Sequence, residues 1–348
     1  MTDLRTRPLG KSPARVSSIG LGTVGMAGFN SKVNYRQFEQ AIDAAFQGGI
    51  RHFDAAPFYG YGKAEYYLGH ALRELGIRDQ VTLSTKAGRI LKPANRYPDI
   101  KGRYAIEWVD ALPFVAEYDY SYDGIMRSFE GSQFRLGQDF IDVLLMHDVG
   151  EAWHGDQAEI YWKQLADSGY KALDELRRNG YVHAVGLGVN ETEAVLRASS
   201  EFDFDCALIA GRYSLLNHAP LEGAFDELHK RNVAIIAAGV FNSGILATGS
   251  STEGAYDYQK VPEEIRDRVR RIEVVCEQFG VSLVAAAIEF VKLHPAVSTV
   301  LLGAHSAQAV RQNIQAASQQ APKDFWQALK AQGLIPEQAP TDTSVSNT

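Results

Sequence analysis

Apolar residues along this chain fall into short runs rich in β-branched side chains. Longer stretches separate them, in which apolar residues recur every three or four positions. The first pattern is that of strands buried on both faces, the second that of helices with one apolar face. The runs are Val16 to Gly22 (after an expected N-terminal hairpin), Ile50–Asp54, Val81–Thr85, Ile141–Met146, Val182–Gly188, Cys206–Ala210, Val233–Ala238 and Val297–Leu302. Helical patterns between them include Tyr35 to Gly48, Tyr122–Leu136, Ile160–Asn179, Glu191–Ser200, Leu221–Arg231, Ser282–His294 and Ala307–Ala317. In the first of these, Phe38, Ala41, Ile42, Ala45 and Phe46 mark one face. Eight strand–helix repeats predict an α/β architecture, a parallel (β/α)8 TIM barrel ringed by helices. An open doubly wound sheet uses the same elements. The segment GLGTVG after the first run is read as close to a G-x-G-x-x-G dinucleotide turn but without its glycine spacing, which weighs against that sheet.

Two connections, Gly88–Asp119 and Phe241–Val261, are long enough to suggest function over the barrel mouth. One domain is expected over residues 1–335. The remaining stretch, 336–348 (PEQAPTDTSVSNT), has almost no apolar residues and is expected to be disordered.

Composition narrows the partners. Hydrophobic residues at 45% and charged residues at 22% suit a soluble globular enzyme. A net charge of -7 without a Lys/Arg run argues against nucleic acid. Cys206 and Cys276 are too few for a disulfide framework, sit in apolar or helical surroundings, and read as buried free thiols. No Cys/His cluster has metal-ligand spacing, so no metal is expected. The N-terminus MTDLRTRPLG lacks a signal-peptide core and no apolar run spans a membrane, so a cytoplasmic location is expected. Oligomeric state stays open.

In a barrel of this kind, reactive groups collect at the C-terminal ends of the strands. Asp54 closes the second run, Tyr59 follows five residues later, Lys86 ends the third and His147 the fourth. A tyrosine near pKa 10 is a poor base. A neighbouring ammonium favours its phenolate, so Lys86 would make Tyr59 usable for proton transfer. Asp54 would hold the lysine, and His147 would donate to a substrate oxygen. Taken singly, each is more often a cap, a solvated charge or a packing group. Their joint placement carries the argument.

FDAAPFYG, STKAG, LLMHD, GLGVN, RYSLLN and LLGAHS…QNI together resemble the aldo-keto reductase superfamily, from about Arg5 to Ser318. The resemblance implies a TIM barrel without a Rossmann domain and a nicotinamide cofactor extended across its mouth. It also implies an Asp–Tyr–Lys–His tetrad at Asp54, Tyr59, Lys86 and His147. VAEYDYSYDGIMRS, GLGVNE and GVFNSGILA resemble the D-threo-aldose 1-dehydrogenase / L-fucose dehydrogenase branch. That implies oxidation of the anomeric carbon of a free aldose to the lactone. Another small aldehyde such as pyridoxal is the alternative of the same chemistry. A non-catalytic barrel that senses cofactor is the alternative of another class.

By the same resemblance, Asn190 holds the carboxamide, and Asn242, Ser243, Gly244 and Leu246 belong to the loop over the pyrophosphate. Gly303, Ser306, Gln312 and Asn313 lie on the adenosine side, and Gly22 and Thr23 lie near the cofactor at the first strand end. Where family members stack a tyrosine on the nicotinamide this chain has Ala238, so Phe241 or Tyr213 is the expected substitute. Gly303 and Ala309 stand where NADP-preferring members carry a cation, so NAD is expected over NADP. His305 or Arg311 is a possible substitute cation. For substrate, Tyr59, His147, Asp148, Trp108 and Trp153 are the expected contacts, with His154 beside them. Arg89, Arg96, Arg103, Trp108 and Phe114 make the long connection either a sugar lid or an insertion packed on the rim.

Overall fold

A computed structural model describes residues 4, 6–29, 31–97 and 108–342. Eight strands close into a barrel in which every pairing is parallel. They are β1 (Ile19–Gly22), β2 (His52–Asp54), β3 (Thr82–Ala87), β4 (Val143–His147), β5 (Ala184–Val189), β6 (Cys206–Ala210), β7 (Ala234–Ala238) and β8 (Val297–Gly303). Helices α1 (Tyr35–Gln47), α2 (Lys63–Glu74) and α3 (Tyr122–Leu136) follow the first three strands. The fourth helical segment is composite: Ala158–Gln164 and Tyr170–Arg178 are joined through a π turn at Leu165–Gly169. With it counted as α4, the ring continues with α5 (Glu193–Glu201), α6 (Ala224–Lys230), α7 (Leu283–Lys292) and α8 (Ala307–Ala317).

Helix starts follow from capping chemistry. Asn34 and Gln37 form a reciprocal capping box at α1, and Ser121, Ser282 and Ser306 cap α3, α7 and α8.

The two-residue alternation of strands decides what fills the barrel. Val143 and Leu145 point inward and meet Ala184, Cys206, Leu208, Ala234, Ile236 and Leu301. Leu144 and Met146 point outward, into the layer under the helices. One inward step further along β2, β3 and β4 stand Asp54, Lys86 and His147. The corresponding steps on β5, β6, β7, β8 and β1 carry Gly188, Ala210, Ala238, Gly303 and Gly22. The mouth therefore has a tall polar side and a low side of small residues.

The expected hairpin pairs Thr6–Pro8 with Arg15–Ser17. Its Leu9, Ala14 and Val16 pack into the interior layer and close the bottom of the barrel. Expected run Val16–Gly22 is thus divided between hairpin and β1. The glycines of Gly20–Gly25 do have the G-x-G-x-x-G spacing. What removes a Rossmann turn is context: they lead from a barrel strand into a 3-10 turn at Val24–Met26, with α1 starting only at Tyr35.

The longer helices α2 and Lys323–Ala331 were not anticipated from the pattern, and Glu263–Phe279 only as the helical stretch around Cys276. The tail expected from Pro336 keeps contact with the body, because Ala339 is buried in the core; 343–348 lie outside the described residues. Both cysteines are free and buried. Among the described residues no single helix is long and apolar enough to cross a membrane.

Gly69 fixes how close α2 lies to α3, since a Cβ there would stand 1.8 Å from the Leu136 carbonyl oxygen. Mid-helix Gly→Ala ordinarily stabilises by about 1 kcal/mol. Here Gly69→Ala is expected to destabilise by about 1–3 kcal/mol through overpacking, read as a lower urea midpoint. A raised midpoint would show that the two helices part freely.

Candidate active site

The local turn Ala55–Gly60 brings Tyr59 back over the end of β2, with its amide bonded to the Ala56 carbonyl. Beneath it, the Lys86 ammonium donates to Asp54 Oδ1 at 2.6 Å and to the Ala55 carbonyl at 2.9 Å. It also hydrogen-bonds Tyr59, lying 4.7 Å from the ring centre. Asp54 Oδ2 accepts from the Ser84 hydroxyl at 2.7 Å, and Ser84 meets His52 Nε2 at 3.0 Å. His147 stands perpendicular to Tyr59, with ring centres 6.0 Å apart. The four residues anticipated from the strand ends therefore share one mouth.

Burial pushes the Tyr59 phenol up to about 12, and the Lys86 charge and hydrogen bond pull against it. Burial by itself would lower the Lys86 ammonium, but the Asp54 and Tyr59 charges and hydrogen bonds outweigh it and hold it above its ordinary value. Burial, then the positive charges of Arg89 and Lys86, hold His147 well below the usual imidazole range. The imidazole is neutral at ordinary pH and suited to donating one N–H.

Arg89 was expected in a lid or on the rim. Instead it is the first residue of the strand Arg89–Pro93, and its guanidinium is fully buried under the mouth. Nη1 lies 3.0 Å from His147 Nδ1 and Nη2 donates to Asp148 Oδ2 at 2.6 Å. Phe58, Trp153 and Tyr118 enclose it at 4.2, 4.6 and 5.3 Å. Asp148 takes a left-handed backbone (φ 51°) directly after β4, where its amide bonds the Gly188 carbonyl. Its carboxylate lies 3.4 Å from His147 Nε2.

Among its described residues the long connection forms an antiparallel ribbon, Arg89–Pro93 with Phe114–Tyr118, and the segment 108–113 before the returning strand is pinned to the rim. Val109 bonds Gly28, Leu112 bonds Gly60, and Asp110 pairs with Lys63 at 2.6 Å. Arg96 sits on the exposed turn after the ribbon strand and Phe114 opens the returning one; Arg103 lies outside the described residues. Trp108 joins Phe29 and Phe58, each at 5.6 Å, and Phe58 continues to Trp153 at 5.7 Å. Tyr258 extends this aromatic arc from the other side, 6.3 Å from Phe29. Composition of the Phe241–Val261 connection was the only sequence sign of Tyr258. His154 is no pocket residue: it is buried, 2.8 Å from the Tyr120 hydroxyl.

The low side of the mouth suits a long, thin dinucleotide. A Cβ at Gly22, Gly303 or Gly244 would meet nothing within 4 Å, so open space stands over each. Asn190 is braced by Arg212 Nε on its carbonyl at 2.7 Å, and its side chain hydrogen-bonds Tyr258. Ser306 caps α8, whose first-turn amides face the same rim. Gln312 is exposed on α8 and Asn313 donates to the Gly303 carbonyl at 3.1 Å. Asn242 and Ser243 take left-handed backbones. Asn242 is an internal brace that accepts from Ser214 at 2.5 Å, while Ser243 accepts from the Tyr258 amide at 2.9 Å. Leu246 is buried, and Thr23 is a scaffold residue donating to the Asp54 carbonyl at 2.8 Å.

Tyr213 cannot serve as the stacking ring. It is buried in the helix layer against Phe225 and Phe290, because RYSLLN turns it outward from β6. Phe241 is half-buried above β7 and packs on the core. Ala238 is only partly buried and packs against the interior layer.

Comparison with known proteins agrees with this geometry. A model of the aldo/keto reductase family matches residues 18–333. The chain is 41% identical over 335 residues to pyridoxal 4-dehydrogenase of Microbacterium luteolum, covering 94% of this chain and 97% of that protein. It is 35% identical over 326 residues to D-threo-aldose 1-dehydrogenase of a Pseudomonas species, covering 92% and 95%. In fold it resembles the holo form of aldo-keto reductase AKR11C1 from Bacillus halodurans, with a TM-score of 0.73 at 21% identity over 97% and 99% of the two chains. The barrel, the strand-end residues and these matches have one common explanation: the chain belongs to the aldo/keto reductase family of NAD(P)-dependent oxidoreductases.

Proposed function

We propose that the protein is an NAD(P)-dependent dehydrogenase that oxidises a cyclic hemiacetal to a lactone. The Tyr59–Lys86–Asp54 arrangement facing His147 carries this reading. The two relatives point to the same functional group by different names. In water an aldose, and pyridoxal with its neighbouring hydroxymethyl group, both close on themselves into a hydroxyl-bearing hemiacetal ring. The sequence put the aldose first; the 41% relative brings pyridoxal level with it.

In this mechanism His147 orients the hemiacetal oxygen and Tyr59 takes its proton, while Lys86 stabilises the phenolate that accepts it. Bound oxidised nicotinamide supplies a hydride acceptor and a positive charge that favours the phenolate. Loss of the O–H proton and of the carbon-bound hydrogen as hydride leaves the lactone C=O. The aromatic arc from Tyr258 through Phe29, Trp108 and Phe58 to Trp153 offers ring faces to a flat or sugar ring.

On the adenosine side, Gly303 and Ala309 bring no cation, so those two positions offer a 2′-phosphate no charge-assisted partner. NAD is therefore the preferred cofactor in this proposal.

Tyr59→Phe is expected to lower kcat about 10³-fold while leaving the cofactor Kd unchanged. Undiminished turnover would remove Tyr59 from the mechanism. Because the active base is the phenolate and burial holds the phenol up to about 12, log kcat/KM for oxidation should rise with pH from neutral through alkaline values. A fall over that range would contradict the assignment. Initial rates with L-fucose, D-arabinose, L-galactose and pyridoxal, each with NAD and NADP, test the substrate class. At least one should yield NADH, with kcat/KM for NADP below that for NAD. If none reacts while an aldehyde that cannot cyclise is reduced, the hemiacetal reading is lost.

A further inference from the structure

We propose that Arg89 is a positioning residue that places the His147 proton on Nε2 and holds the Asp148 carboxylate beside it. The mouth then reads substrate through a paired N–H donor and carboxylate acceptor. This rests on the dehydrogenase reading above for its substrate class, but not for the tautomer itself.

A guanidinium only donates. With Arg89 Nη1 at 3.0 Å from His147 Nδ1, Nδ1 must be the acceptor, and the single proton of the neutral ring lies on Nε2. The same rigid fork donates from Nη2 to Asp148 Oδ2 at 2.6 Å, which fixes both acceptors at once. Oδ2 lies 3.4 Å from Nε2, so donor and acceptor face one small volume. The fork has no freedom to swing, being enclosed by Phe58, Trp153 and Tyr118. Its main chain is also pinned, because the Ser128 hydroxyl donates to the Arg89 carbonyl at 3.1 Å.

Without Arg89, Nδ1 competes for the proton. Nε2 would then turn a lone pair toward both Asp148 and the substrate oxygen, a repulsive arrangement. The paired groups also select among substrates. The reacting oxygen accepts from Nε2–H while its own proton faces Tyr59, and a second hydroxyl beside the reacting carbon donates to Oδ2. A bare carbonyl oxygen only accepts, and meets the carboxylate as a like partner. The site therefore favours a substrate with a further hydroxyl beside the reacting carbon over a simple aldehyde.

The direct test is nitrogen NMR of ligand-free, 15N-histidine-labelled protein, with the His147 resonances identified by their loss in His147→Gln. The expected result is an unprotonated Nδ1 and a protonated Nε2. A proton on Nδ1 overturns the proposal without any Arg89 variant. Arg89→Lys keeps the charge but reaches one acceptor at a time; kcat/KM should fall about 100-fold, with cofactor Kd unchanged. Wild-type turnover in Arg89→Lys, with the Nε2–H tautomer intact, also overturns it. Asp148→Asn keeps the Arg89–His147 contact, so it should retain the tautomer. It should raise KM for the hydroxylated substrate about tenfold more than KM for benzaldehyde; equal changes would defeat the acceptor half. If no hemiacetal is turned over, the tautomer measurement still decides the role of Arg89, so the two readings fail separately.

Discussion

Two opposite charges buried in a place that water does not reach govern this molecule. Lys86 and Asp54 have side chains 1% and 3% exposed and are in contact at 2.6 Å. Burying either alone would cost several kcal/mol, so each depends on the other and on full hydrogen bonding of what remains. The Ser84 hydroxyl takes the second carboxylate oxygen, and the Ala55 carbonyl takes another ammonium hydrogen. What is left of the ammonium faces Tyr59. Strand register follows from this requirement, because a one-residue slip of β2 against β3 would turn Asp54 into the apolar layer and leave Lys86 without its partner.

The remaining architecture distributes height around that pair. Strands β2 to β4 raise long polar side chains at the mouth, whereas the last inward positions of β5 to β8 and β1 are glycine or alanine. The mouth is thus a tall wall beside a shallow shelf. Asp54, Lys86 and His147 stand on the wall and the shelf is bare. The long connection after β3 contributes in a second way, since its first residue drives a cation beneath the wall and its return segment supplies the aromatic rim.

Much of this was readable in the chain. Eight β-branched runs gave the barrel, and the C-terminal ends of three of them gave Asp54, Lys86 and His147. Tyr59 followed from the FDAAPFYG turn. Arg89 was misplaced because it opens a long irregular stretch, and nothing local says that a charged residue there dives under the rim. Tyr213 was misplaced for the opposite reason: a tyrosine two or three residues past a strand end can face the mouth or the helix layer, and packing against Phe225 and Phe290 decides. Helix α2 escaped notice since Gly69 lowers its propensity, while its value lies in a contact with α3 that is distant in sequence. The glycines of Gly20–Gly25 match a dinucleotide motif in spacing yet not in setting. Spacing records local backbone needs, and only the surrounding elements tell which need is being met.

The N-terminal hairpin gives the barrel a floor. Leu9, Ala14 and Val16 stop its lower end, so traffic with solvent passes only through the mouth. In the reaction proposed above, a proton taken up by Tyr59 would therefore leave on the same side as product, through the one opening that the hydrogen-bonded series from Tyr59 through Lys86, Asp54 and Ser84 to His52 faces.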